Sequence, residues 1–123
     1  MTLIEVLVAL AILGVIAVAF LTGLATTAKA VFIADVRTTA ESLARTQMED
    51  VKGQPYDDVN DPPEYDEVPR SSIPDNFNID IAAERLVPEG YTAGADYGIQ
   101  KITVTVEFQG EVKITLEDYK VNR

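Results

Sequence analysis

No charged residue interrupts the chain between Glu5 and Lys29, and residues 6–21, VLVALAILGVIAVAFL, are apolar throughout. About 20 such residues suffice to cross the hydrocarbon core of a bilayer as a helix. Glu5 stands at the start of this run. A carboxylate at mid-membrane costs about 2.5–3.5 kcal/mol on insertion scales and less near an end, so it calls for a partner. The run contains no Lys, Arg or His. The nearby positive charge is an α-amino group, this chain's own or that of a neighbouring copy. A secretory signal peptide would carry a basic n-region and a shorter apolar core. A plain single-pass anchor accounts for the length but not for Glu5.

Beyond residue 27 the pattern changes to one amphipathic stripe: Phe32, Val36, Ala40, Leu43 with Ala44, Gln47 with Met48, and Val51. Spacings of three to five place these residues on one helix face. Asp35, Thr38, Thr39, Glu41, Ser42, Arg45, Glu49 and Lys52 mark the other, with Glu41 and Arg45 spaced as a stabilising i, i+4 pair. Gly53, with Pro55 behind it, is a stop signal. No strong breaker lies between Met1 and Lys52, so the spacing predicts one helix of about 50 residues, about 75 Å long.

Four segments follow from this reading: an apolar helix segment over 1–27, its amphipathic continuation over 28–53, an acidic Pro-rich loop over 54–76, and an antiparallel sheet region over 77–123. The loop holds Asp57, Asp58, Asp61, Glu64, Asp66 and Glu67 among five prolines, a density that opposes regular structure. In the last segment Phe77, Ile79 and Ile81 alternate with polar residues, and a turn-rich insert over 88–98 follows. Ile102, Val104, Val106 and Phe108 share one face of a strand. Gln109-Gly110 forms a two-residue turn, after which Val112, Ile114 and Leu116 repeat the alternation. A sheet with one apolar face packs on one partner, and the amphipathic stripe is the sizeable candidate.

Thr2-Leu3-Ile4-Glu5-Val6-Leu7 followed by an apolar helix resembles the mature N-terminus of bacterial type IV pilins and of the pseudopilins of type II secretion. The resemblance covers Met1 to about Tyr56 and extends more loosely beyond. It implies an α+β pilin fold: a long N-terminal helix whose C-terminal half packs on a small antiparallel sheet. It implies that the chain is the mature form, that Met1 is the processed and N-methylated residue, and that Glu5 pairs with the Met1 amine of an adjacent copy during assembly. The implied partners are further copies in a helical filament, prepilin peptidase, an inner-membrane platform protein and an assembly ATPase. The implied location is the cytoplasmic membrane before assembly and a cell-surface filament after it. Many pilins have a proline where this chain has Thr22. Gly14 and Gly23 would then have to permit any local unwinding of the helix on assembly, or serve close helix packing. Residues 43–56 also resemble the helix end of certain minor pilins and pseudopilins, which keeps that role open. A monomeric membrane-anchored binding domain is a further alternative.

Composition narrows the chemistry. His, Cys and Trp are absent, and 20 acidic residues against 10 basic give a net charge of −10. The commonest general base and all thiol chemistry are thereby missing, and such a charge opposes nucleic-acid binding. No cofactor and no catalytic constellation is expected. Asp57, Asp58 and Asp61 are weak candidates for calcium, since the loop lacks the alternating ligands and central Gly of an EF-hand. A solvated acidic loop is the favoured reading, and no metal is assigned.

Overall fold

The computed structural model describes residues 2–123. Its elements are one helix, α1 (Leu3–Gly53), a single 3-10 turn (Arg70–Ser72), and three strands, β1 (Phe77–Arg85), β2 (Ile99–Phe108) and β3 (Glu111–Val121). The strands form one antiparallel sheet in the order β1-β2-β3. The class is α+β, with α1 packed on the sheet as expected. The chain divides into two compact units, one ending at Asp35 and the other spanning Val36–Arg123.

The second unit has its own core. From α1 it takes Val36, Ala40, Ala44, Met48 and Val51; from the sheet it takes Phe77, Ile79, Ile102, Val104 and Val106; Ile73 joins from the loop. Ala40 and Ala44 are fully buried, since a methyl at each position lets the sheet come close to the helix. The stripe therefore engages from Val36 onward, whereas Phe32 is 55% exposed. The i, i+4 ion pair is Arg37–Glu41 at 3.3 Å, one turn before the expected Glu41–Arg45.

The β2–β3 hairpin turns through Gln109 and Gly110, with φ of 52° and 81°. Two positive φ values match the twist of the flanking strands. Beyond the turn the alternation is broken. Val106 pairs with Ile114 but Glu107 pairs with Val112, so Lys113 is an extra residue in β3. Such a bulge moves every residue on its turn side to the opposite face. Val112 accordingly leaves the expected apolar face and is 57% exposed, while Ile114 and Leu116 pack on the core.

The core face of the sheet changes character along its length. Ile79–Val106–Ile114 and Ile81–Val104–Leu116 are apolar rows, whereas the row nearest one end is Arg85–Gln100–Lys120. Lys120 is 6% exposed. Its ammonium donates to the carbonyls of Val51, Lys52 and Gln54 at 2.7, 3.1 and 2.6 Å. Those of Val51 and Lys52 lie in the last turn of α1, where carbonyls run short of intrahelical donors, and that of Gln54 lies just past it. Burial pulls the Lys120 pKa below its ordinary value, yet three acceptors and the Tyr65 ring 5.3 Å away favour the cation. Gln100 Nε2 donates to the Asp57 carbonyl at 2.6 Å. Arg85 Nη2 donates to the carbonyls of Asp58 and Asn60 at 3.0 and 2.8 Å.

The Pro-rich loop is consequently a strap and not a freely solvated linker. Having almost no regular structure, it needs side-chain partners for its backbone. Glutamine carries both a donor and an acceptor. Buried Gln47 donates to Asp66 O at 3.2 Å and accepts from Val68 N at 2.8 Å. Gln54 does the same with both backbone groups of Asp66, each at 2.9 Å. Tyr65 donates to Gln100 Oε1 and, with Val68, lies against the core.

A fragment running from residue 28 to Arg123 should be soluble and unfold cooperatively by circular dichroism. Gln47→Leu in that fragment should cost about 1–3 kcal/mol, because Val68 N–H loses its partner and Asp66 C=O keeps only the Gln54 amide as donor. The midpoint should then fall by about 4–8 °C per kcal/mol; an unchanged midpoint would mean the strap holds without Gln47.

Candidate functional site

The first unit differs from the second in having no buried side chain among its described residues. Leu3, Leu7, Leu10, Leu13, Val15, Ile16, Val18, Phe20 and Leu21 are all at least 60% exposed. A contiguous apolar surface of this extent marks a lipid or protein contact. The segment is long and apolar enough to cross a membrane. Its hydroxyls are turned inward on the helix itself. Thr22, Thr26 and Thr27 donate to the carbonyls of Val18, Thr22 and Gly23 at 2.8, 2.9 and 3.0 Å. Back-bonding of this kind spares an apolar medium from unpaired hydroxyls and slightly loosens the turn it touches.

Gly14 and Gly23 lie within unbroken helix. A Cβ built at either would meet nothing within 4 Å, so the fold of the single chain does not require glycine there.

At the start of the helix Glu5 has a local task that the apolar run obscures. Thr2 Oγ1 accepts from Glu5 N at 3.3 Å, and Glu5 Oε2 accepts from Thr2 N at 3.4 Å. This reciprocal pair is a capping box, in which a Thr and a Glu three residues on satisfy orphan N–H groups of the first turn. The carboxylate also faces the positive end of the helix dipole. The signal was present as Thr-x-x-Glu directly before an apolar run. Met1, the expected processing site and source of the pairing amine, lies outside the described residues.

The acidic strap is organised around Asp57. Its carboxylate accepts from the backbone N–H of Val59, Asn60 and Glu64 at 3.0, 3.1 and 2.8 Å, and from Asn60 Nδ2 at 2.9 Å. The Glu64 N–H, then Asn60, holds the Asp57 carboxyl well below the usual carboxylate range. With its oxygens so engaged, Asp57 is a loop organiser. Among the described residues no three acidic side chains converge to hold a metal, so the structure does not gather Asp57, Asp58 and Asp61 into a calcium site. Elsewhere, burial and a 2.6 Å hydrogen bond to Asp96 raise the pKa of the Tyr56 hydroxyl.

A depressed folded-state pKa stabilises above the unfolded value, near 4 for Asp, and is lost as pH falls through that value towards the folded one. The fragment should therefore lose stability below about pH 4, and Asp57→Asn should flatten that part of the profile. Parallel pH profiles of wild type and variant would show that Asp57 does not govern the strap. Comparison with protein-family models, with curated proteins and with solved structures finds no match for this chain.

Proposed function

We propose that this chain is a structural subunit of a type IV pilus-like filament, held in the cytoplasmic membrane by its apolar helix before assembly and exposed at the cell surface afterwards. The observation that carries the reading is the contrast between the two units. Val36–Arg123 completes a core by itself, whereas the apolar surface of residues 3–28 is left for other molecules. Lipid covers it first and the helices of further copies cover it next. Glu5 then needs positive charge from a neighbour, in the resemblance-based reading the Met1 amine. A buried pair adds little net stability, but a missing partner costs about 3–5 kcal/mol, so the pair selects register. Prepilin peptidase, a membrane platform and an assembly ATPase are the partners this function requires. A minor pilin or pseudopilin would use the same helix in the same way. On assembly the helix between Gly14 and Gly23 unwinds locally, Thr22 and neighbouring chains meeting some of the freed backbone groups.

The capping box favours a second reading, in which Glu5 only caps the helix of a membrane-anchored binding domain. An anchored monomer yields no sheared filaments even as wild type, which separates the readings; two variants then separate the two roles of Glu5. Glutamine keeps a capping box but loses the charge; alanine loses both. In the filament reading Glu5→Gln and Glu5→Ala both insert into membranes and both yield few sheared surface filaments by immunoblot. Normal filament yield from Glu5→Gln beside a poor yield from Glu5→Ala would reduce Glu5 to a cap.

A further inference from the structure

Lys120 is a buried cation that no carboxylate matches. Its ammonium commits its three donors to the carbonyls of Val51, Lys52 and Gln54. None of the described acidic side chains pairs with it. Carbonyls supply dipoles but no net charge, so the attraction of this ion for an anion is unspent.

That ion borders an open cleft. Where the end of α1, the start of the strap and the last residues of β3 meet, a cavity of about 480 Å³ is lined by Lys52, Tyr56, Tyr119, Lys120 and Arg123, and by no carboxylate. Lys52 is matched by Asp118. Arg123 is exposed and has no ion-pair partner among the described residues. Two unmatched positive charges therefore meet at one place on a chain whose net charge is −10. Pro55 and the tyrosine rings add apolar surface beside them. Tyr56 is anchored by its 2.6 Å hydrogen bond to Asp96, and Tyr119 is 57% exposed.

We propose that this cleft binds a small monoanion, a single carboxylate carried on a six-membered ring. Arg123 offers the carboxylate a planar fork of donors, and Lys120 adds charge without a further hydrogen bond. The ring finds apolar faces on the tyrosines. The cavity has the size of small-molecule pockets, about 300–1,000 Å³. A long polyanion is disfavoured, because its remaining charges would run over an acidic surface, whereas a single carboxylate is matched on the spot. A uronic-acid sugar and an aromatic acid share this chemistry. The cleft lies wholly within Val36–Arg123, so the site stands or falls independently of filament assembly.

The full chain, in micelles of a nonionic polyoxyethylene detergent, is titrated with glucuronate, benzoate, acetate and glucose while the NMR signals of Lys120 and Tyr119 are followed. Saturable shifts are expected from glucuronate, benzoate or both, and none from glucose. Acetate, which lacks the ring, should bind about tenfold more weakly than the better ring acid. Arg123→Gln should weaken that acid about threefold, and Tyr119→Ser should bring it down to the level of acetate; both positions are exposed, and an unchanged circular dichroism spectrum checks the fold. Tighter binding of glucuronate would identify a sugar acid as the ligand class, and tighter binding of benzoate an aromatic acid. No saturable shift from either ring acid would overturn the proposal. So would glucose binding as well as glucuronate, acetate binding as well as both ring acids, or undiminished affinity in both variants.

Discussion

The path of the chain out of its helix depends on one cross-strand row, Arg85–Gln100–Lys120. A helix ends with carbonyls that have no partner, and a proline-rich segment adds more. Here the three side chains of the row reach six carbonyls between Val51 and Asn60. Each comes from a different strand, so the sheet must be assembled before the exit is fixed. Replacing the row with aliphatic residues would continue the apolar face but strand the buried and half-buried carbonyls that Lys120 and Gln100 reach, where an unpaired group costs about 1–3 kcal/mol. Polarity at this end of the core is therefore what lets the chain leave a long helix and turn across the sheet.

The two units answer the burial problem in opposite ways. In Val36–Arg123 the apolar face of α1 and the apolar rows of the sheet satisfy each other. In residues 3–28 nothing within the chain covers the side chains, and the polar side chains that remain are the back-bonded threonines and Glu5. A self-sufficient unit tolerates a change of medium at the other segment. The transfer from lipid to protein neighbours that the proposed filament requires would leave its own contacts intact.

Much of this was legible in the residues. The stripe through Val36, Ala40, Ala44, Met48 and Val51, the stop at Gly53, the alternation of β2 and the Gln109-Gly110 turn all express local periodicity or local φ preference. Val112 escaped because a bulge depends on pairing register, which alternation alone does not encode. Gln47 sat on the apolar stripe in plain view, but its task is set by the backbone of Asp66 and Val68, some twenty positions away. Lys120 and Arg85 carry no local signal, since the carbonyls they meet lie 69 and about 25 positions away. The capping box of Thr2 and Glu5 is local, and Thr-x-x-Glu ahead of an apolar run encodes it.

The strap is held mainly through its backbone: carbonyls and amides at 57, 58, 60, 66 and 68 are gripped by glutamines and by Arg85. The carboxylates of Asp58, Asp61 and Glu64 take no part in that grip and face solvent. Path and surface chemistry are thereby uncoupled. Substitutions at these three positions can reverse the charge of the outward face while the strap follows the same course, so that what the surface presents to its surroundings can diversify at little cost to folding.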